Sequence, residues 1–481
     1  ACRRLLEDFL VQACRRLLEG RRQAGGEAVG EEQLERALAE VLRSVWKDPG
    51  WRRACAPAGD LEPGRLAADC PAREILQRAR CTLSYGDPAS NRNYFKNFGR
   101  MNVHATMLQD EMRTSTYKRA ILQNRPDFEG KVVMDVGSGT GMLAFFAIQA
   151  GAARVYCVEA SPMAQVIREL AADNGWSDRI VVINMVLQDI RDEVPEKVDC
   201  ITHETLGNFL FAERGIETVL VARDRFLKPG GKLFPTGASF CLAPFEDGRL
   251  HHGRLVKASN LWSSGDFHGV KLSSMHERSK HEAFSKALSD QFHPDQLRAE
   301  AKVQYFDFRT LRPDDIQDFD VTFDFKSKAT CVLHGVAGWF EAHFEGCLCN
   351  VVLSTSPWDV LTHWWQTRLM LLEPLAVNEG QHITGLVSFA ASEGNTYRCQ
   401  LEMECGGVRR VQGGFSLADC DGSQRSPAHK VLQISPFAKV SVIDWEASKA
   451  TPSAPGAEVL VGDPLGPEKL GAARSEAAAR G

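Results

Sequence analysis

Two glutamates give the chain its first chemical lead. Glu204 and Glu213 bracket an apolar stretch, Leu206-Gly207-Asn208-Phe209-Leu210-Phe211-Ala212, that follows a β-branched run at 198–202. The run reads as a strand, and doubly wound sheets place their ligands at the carboxyl ends of their strands. Two adjacent carboxylates can hold a planar cation through charge-assisted, partly bidentate hydrogen bonds. A guanidinium is such a cation. It stays protonated, with a pKa above about 12, and is a poor nucleophile until its charge is drawn toward the nitrogens that the carboxylates grip. Fixed geometry opposite an electrophile supplies up to about 7–11 kcal/mol of the barrier. Two empty like charges are costly when buried, so ligand binding is expected to relieve them. The plainer alternative is a pair of surface carboxylates, with Glu213 capping the helix that follows.

A second lead lies upstream. Val132-Val133-Met134-Asp135-Val136-Gly137-Ser138-Gly139-Thr140-Gly141 is a strand running into a glycine-rich turn and then a helix. Dinucleotide binders use G-x-G-x-x-G, with the pyrophosphate on the helix N-terminus. Here the spacing is G-x-G-x-G behind an acidic residue, with Glu159 at the end of the next strand. This arrangement resembles motif I of the class I S-adenosylmethionine-dependent methyltransferases. The resemblance implies a cofactor with a positive amino group and a ribose diol. Asp135 and the loop of Gly137, Gly139 and Gly141 would hold the first, and Glu159 would accept both ribose hydroxyls. A nicotinamide dehydrogenase loop, or a turn with no ligand, is the alternative.

The elements that must position these residues alternate. Residues 131–136, 154–159, 179–184 and 198–202 read as buried parallel strands. Helices at 142–150 and 162–174 lie between them, the second with Ser161 as N-cap, Pro162 at its first position and Gly175 after its end. Strict alternation predicts a doubly wound α/β sheet. After Lys228-Pro229-Gly230-Gly231 the character changes, and 233–244, 329–345, 348–355, 382–391 and 396–404 read as antiparallel strands of a β-barrel-like domain. The polar, helix-like insertion at 260–284 reads as an arm.

Composition sets the outer bounds. With 481 residues the chain has room for two to four domains. Its 44% hydrophobic and 25% charged residues are ordinary for a globular chain. Fifty-seven Lys and Arg against 62 Asp and Glu leave a net charge of −5, which argues against a generally basic nucleic-acid binder. No apolar run reaches the roughly 18 residues that span a bilayer. The 14 cysteines are scattered, the tightest pair being Cys347-x-Cys349, and are expected to be reduced thiols with no zinc knuckle. A 12-residue repeat, Ala-Cys-Arg-Arg-Leu-Leu-Glu at 1–7 and again at 13–19, marks residues 1–80 as a helical or partly disordered extension. The chain opens on Ala1 rather than Met, so an upstream stretch is expected. Residues 446–481, rich in Ala, Gly, Pro, Ser and Glu, are expected to form a disordered tail.

Four motifs occur in order over residues 90–445 and together resemble the protein arginine methyltransferases of the type that makes asymmetric dimethylarginine. The 204–213 stretch is similar to that family's double-E loop. Tyr94-Phe95 followed by Met107–Thr114 is similar to its cofactor-capping helix, and Thr362-His363-Trp364 to its THW loop. Residues 119–128, 177–183 and 267–270 are most like the coactivator-associated, histone-arginine branch.

The resemblance implies roles for single residues. Glu204 and Glu213 grip the substrate guanidinium, while His363 and its partner Asp110 position the site and carry the departing proton. Tyr94, Met107 and Trp364 line the substrate pocket, although Trp364 also reads as structural. Arg113 pairs with the cofactor's carboxylate, and His104 lies near the same group. Gln188, or Asp189 beside it, meets the adenine amino group, and Thr218 completes the cofactor set. No metal is implied.

The implied domains are a cofactor-binding part at 81–233 and a β-barrel at 234–445 with a dimerisation arm at about 250–285. The implied partners are histones, Arg/Gly-rich or RNA-binding proteins and a second copy of the chain, without nucleic acid or membrane, in nucleus and cytoplasm. Three departures stand out. The loop reads Thr205-Leu206-Gly207-Asn208 where the family has an aromatic at the last position, Phe98 replaces a tyrosine, and Gln188 stands for a glutamate. Residues 1–80 also show no sign of the N-terminal β-rich domain of animal coactivator-associated members. The altered loop leaves a catalytically silent scaffold as the rival reading.

Overall fold

The computed structural model describes residues 94–392, 395–407 and 409–417. The extension at 1–80 and the tail at 446–481 lie outside them. A helical turn at 94–98 leads into α1 (Met101–Leu108) and α2 (Glu111–Gln123). Strands and helices then alternate: β1 (Val132–Val136), α3 (Met142–Gln149), β2 (Arg154–Val158), α4 (Met163–Asp173), β3 (Ile180–Ile183), β4 (Val198–His203), α5 (Gly215–Phe226) and β5 (Leu227–Phe234). They form a parallel sheet in the order β3-β2-β1-β4-β5. The winding reverses between β1 and β4, so a ligand crevice opens at the carboxyl ends of those two strands. Both are buried along nearly their whole length, as parallel strands covered on two faces must be. Ser161 does cap α4, its hydroxyl accepting the Met163 N–H at 3.2 Å, but Pro162 occupies the cap position rather than the first turn.

The change of character lies a few residues later than the sequence suggests. Residues 228–231 do not end the parallel sheet. They belong to β5, where Gly230 at φ 74° accommodates an irregularity before Leu233 and Phe234 resume pairing with β4. The chain leaves the sheet at Pro235. It continues through β6 (Gly237–Phe245), α6 (Gly248–Ser259), α7 (His276–Phe284), β7 (Leu288–Asp290), β8 (Lys302–Asp307), β9 (Asp318–Lys326), β10 (Cys331–Glu345), β11 (Asn350–Ser354), β12 (Gln366–Val377), β13 (His382–Ser392), β14 (Thr396–Cys405) and β15 (Arg409–Ser416). One antiparallel sheet runs β7-β12-β10-β6-β8 with β11 paired to β10, and the other runs β15-β14-β13-β9.

Five of these strands, β7, β8, β9, β12 and β15, go beyond the sequence expectation. Strand β9 has a clean alternation, with Val321, Phe323 and Phe325 buried between exposed Asp320, Thr322 and Asp324. Inward residues of both sheets, among them Phe240, Leu242, Phe340, Phe389 and Leu401, share one apolar core with Phe209 and Phe211 of the 204–213 stretch. Asn124, fully buried at the end of α2, ties the two parts together. Its amide nitrogen donates to the Cys349 carbonyl at 3.0 Å, and its oxygen accepts the Leu348 and Cys349 N–H groups at 3.0 and 2.9 Å. Helices α6 and α7 form the expected arm. Leu261, Trp262, Phe267, Val270 and Met275 are exposed on the segment between them.

Candidate active site

The bracketed apolar stretch is a plug. Phe209 lies edge-on to Phe240 at 4.8 Å and Phe211 to Phe319 at 4.9 Å, so the loop's middle is anchored in the barrel. Its ends are drawn together at two glycines. A Cβ on Gly207 would stand 1.7 Å from the Ala212 carbonyl oxygen, and one on Gly215 would stand 2.1 Å from that of Thr205. Only hydrogen fits in either place, and the close approach brings the residues carrying Glu204 and Glu213 into register. The cost is backbone strain: Phe209, Leu210, Glu213 and Arg214 all have φ between 55° and 72°. Left-handed geometry costs a non-glycine residue about 1–2 kcal/mol, so burial of the two rings and bonds to Arg214 must hold it. Glu213 does not cap α5. That position belongs to Arg214, which makes no side-chain cap bond.

Glu213 senses Glu204. Burial, with the Glu204 charge adding to it, raises the Glu213 carboxyl to about 7, while the Tyr94 hydroxyl, donating to its Oε2 at 3.0 Å, pulls the other way. Glu213 stands at an open rim, where water tempers the rise. Glu204 lies deeper and already holds a guanidinium. Arg113 donates to its Oε2 through Nε at 2.9 Å and Nη2 at 2.5 Å, with both side chains close to buried. Burial alone would lower the Arg113 pKa, but the Glu204 charge and hydrogen bonds raise it, so the cation persists.

Arg113 is set by the start of its own helix. Asp110 caps α2, its Oδ1 accepting the Arg113 N–H at 2.9 Å, while its Oδ2 accepts the His363 N–H and lies within 2.7 Å of His363 Nδ1. Burial favours the protonated acid, yet the His363 ring and the two backbone donors together hold Asp110 below the usual carboxylate range. The THW loop therefore meets the capping helix through one carboxylate. Trp364 corrects the sequence reading. It is buried, its indole N–H donates to the Leu206 carbonyl at 2.7 Å, and its ring packs on Phe340 and His363, so it props the double-E loop instead of lining a pocket. Met107 is half-buried, and its carbonyl accepts Arg113 Nη1 at 3.4 Å.

The glycine loop sits at the end of β1. Gly137, Gly139 and Gly141 all have left-handed φ, and a Cβ on Gly139 would come within 2.9 Å of the His104 ring. His104 is buried there, its Nε2 2.7 Å from the Phe98 carbonyl. Glu159 braces the loop, one oxygen accepting the Gly139 N–H and the other the Ser161 N–H, each at 2.7 Å. Each oxygen keeps a second lone pair, so it can still receive a hydroxyl.

Two buried polar atoms near the crevice lack any partner. One is Asp135 Oδ2, whose fellow oxygen accepts the Thr202 hydroxyl at 2.9 Å, and the other is Gln188 Nε2. Burial raises Asp135 to about 7, a cost that an ammonium group would relieve. An acid awaiting a cation, an unpaired amide and a cradle that a Cβ would fill fit a polar, amino-bearing nucleoside. Asp189 is exposed, and no hydrogen bond among the described residues ties half-buried Thr218 to this loop.

Sequence reasoning passed over Arg214 and Glu217, a buried pair in the first turn of α5, and Gln317 and Tyr397, which meet it from the barrel. The i,i+3 spacing of Arg214 and Glu217 directly after Glu213 was the available signal.

Known proteins share this arrangement. Residues 133–231 match a methyltransferase domain family, and residues 236–406 match the arginine methyltransferase oligomerization subdomain. Histone-arginine methyltransferase CARMER of Drosophila ananassae is 41% identical over 322 residues, which is 67% of this chain and 60% of that protein. The chain thus spans about 60% of the length of the curated relatives it matches. Its structure is similar to the Trypanosoma brucei PRMT1 enzyme-prozyme heterotetrameric complex with AdoHcy, at 31% identity and a TM-score of 0.60 over 66% of this chain and 99% of that one. It is also similar to Arabidopsis thaliana protein arginine methyltransferase 10, at 28% identity and 0.62 over 67% and 100%. With a relative 41% identical over two thirds of the chain and both domain families matched in order, the chain belongs to the protein arginine methyltransferase family.

Proposed function

We propose that the chain transfers methyl groups from S-adenosylmethionine to guanidino nitrogens of protein arginines, giving mono- and asymmetric dimethylarginine. The observation that carries this reading is the loop that holds Glu204 and Glu213 at its two closed ends, with the Glu204 charge adding to the rise of Glu213. Bound, the cofactor supplies an electrophilic methyl on a sulfonium centre. Asp135, the glycine loop, Glu159 and Gln188 would hold it, with Arg113 facing its carboxylate.

Glu204 and Glu213 bind the substrate guanidinium and draw its charge toward the gripped nitrogens, leaving the remaining one nucleophilic. An arriving cation also favours ionised Glu213, which its surroundings otherwise hold part-protonated. The Tyr94 hydroxyl orients that carboxylate. Asp110 fixes the His363 ring at Nδ1, which leaves the opposite ring nitrogen to take the proton released on methylation. Half-buried Met107 supports the asymmetric product through the family resemblance.

Histones lead the substrate classes, because the Drosophila relative named above is a histone-arginine methyltransferase; Arg/Gly-rich and RNA-binding proteins follow. The match to an oligomerization subdomain and the exposed apolar residues of the arm support a homodimer. Histone modification supports a nuclear location, with a cytoplasmic pool from the family resemblance. The test is radiolabelled methyl transfer to histones and Arg/Gly-rich peptides, with mass spectrometry of the product. Symmetric dimethylarginine would overturn the product assignment. The scaffold reading draws on one observation, the Arg113 fork closed on Glu204; S-adenosylhomocysteine binding without any transfer would favour it.

A further inference from the structure

We propose that Arg214 is a positioning residue for the reaction, a clamp through which the barrel sets the direction of Glu213. This rests on the reading that Glu213 binds the substrate guanidinium. Glu213 and Arg214 are consecutive non-glycine residues at φ 72° and 55°, and such geometry persists only where the surroundings over-determine it.

Arg214 provides that surrounding. It is 5% exposed. Its Nε and Nη2 donate to the two oxygens of Glu217 at 2.6 and 2.8 Å, its Nη2 also donates to Gln317 Oε1 at 2.7 Å, and its Nη1 donates to the Ser392 carbonyl at 3.2 Å. Glu217 belongs to α5, whereas Gln317 precedes β9 and Ser392 ends β13. The barrel partners are themselves fixed. The Gln317 carbonyl accepts the Ala391 N–H at 2.7 Å, and the Tyr397 hydroxyl donates to the Ile316 carbonyl at 2.7 Å while lying 3.3 Å from Glu217 Oε1. A rigid planar fork that grips both oxygens of one carboxylate while reaching two further acceptors is something arginine offers and the point-like lysine ammonium does not. The clamp therefore fixes the backbone between Glu213 and the Thr205–Gly215 contact, and the carboxylate is left facing Tyr94 and Glu204.

The test compares Arg214→Lys and Gln317→Ala with the wild-type chain. Arg214→Met is avoided, because it leaves Glu217 buried and unpaired. In Arg214→Lys, S-adenosylhomocysteine affinity is expected to stay within about twofold while kcat on an Arg/Gly-rich peptide falls at least about tenfold, with Gln317→Ala intermediate. The acid limb of the kcat/KM pH profile is expected to move, which a purely structural bond would not cause. Wild-type kcat and pH profile in Arg214→Lys would overturn the clamp, as would a loss explained wholly by weaker cofactor affinity. Amide exchange across 205–215 gives a readout without activity: faster exchange confined to that loop supports the clamp, and unchanged exchange overturns it. A wild-type chain that binds S-adenosylhomocysteine yet methylates no arginine would sink the functional reading alone, and exchange would still decide the clamp.

Discussion

Two nearly buried arginine–carboxylate centres serve opposite ends of this molecule. At the root of the arm, Arg368 divides its guanidinium between two acids, with Nη1 donating to Asp247 Oδ2 at 3.0 Å and Nε to Asp290 Oδ1 at 3.1 Å, and Nη2 also bonded to Asp290. Asp247 in turn caps α6 through the Leu250 N–H and accepts the Gln296 amide. The rings of Phe245 and Phe292 close over the cation at 5.6 and 5.7 Å. Each of the three guanidinium nitrogens and each oxygen of the two acids has a partner within the fold. At the candidate site, Arg113 places two donors on a single oxygen of Glu204 and its Nη1 on the Met107 carbonyl at 3.4 Å, beside a second acid, Glu213, which accepts a tyrosine hydroxyl. A saturated centre fixes an element, whereas an unsaturated one leaves room for a ligand's charges. Burial is common to both; what separates them is how much bonding capacity the fold leaves over.

The largest effect should come from breaking the saturated centre. Arg368→Met strands Asp247 and Asp290 and is expected to cost about 3–5 kcal/mol. Urea denaturation reads this directly, and sedimentation should show weaker self-association as the arm loosens; a loss below about 1 kcal/mol would erase the contrast. Next comes Glu204→Gln, which keeps shape but removes charge. Turnover is expected to fall roughly 100–1000-fold, in line with losing one preorganised electrostatic contact, while S-adenosylhomocysteine still binds by calorimetry. Arg113→Ala should weaken that ligand by about 2 kcal/mol, near thirtyfold; unchanged affinity would mean that Arg113 serves Glu204 alone.

The smallest effect is a pH dependence. Glu213 stands at about 7 and must be ionised to hold a cation, so kcat/KM should rise with pH through 7 and drop about tenfold from pH 8 to pH 6. Linkage runs the opposite way for stability. A carboxyl raised in the folded state contributes stability that is full below the ordinary value of 4.5 and is lost as pH rises to about 7. Residual turnover in Glu213→Gln should lack the limb.

The parallel sheet was legible because β1 to β4 are continuous apolar runs separated by helices with recognisable ends. Their observed bounds fall within a residue or so of the expected ones. The barrel was legible only in part. Strand β12 carries Pro374 and a long unalternating run, and β8 is a polar edge whose Val303 and Tyr305 are exposed, so neither gives a clear period. Among site residues, Glu204, Glu213, Asp110, Arg113 and His363 were named from spacing and resemblance. Arg214 and Tyr397 were missed, since their partners Ser392 and Glu217 lie 178 and 180 residues away and leave no local pattern. Trp364 was read both as a pocket residue and as structural, and its indole N–H, taken by the Leu206 carbonyl, favours the second.

The order of residues alone determined the doubly wound half, the glycine turn and the presence of two acids nine positions apart, because each depends on local period and local backbone freedom. Whether those acids face one another was decided elsewhere. It required two glycine contacts at distances no Cβ permits, two phenylalanines seated in the barrel and an arginine bonded across the domain junction. Charges interact through space, and only the closed tertiary fold sets that distance.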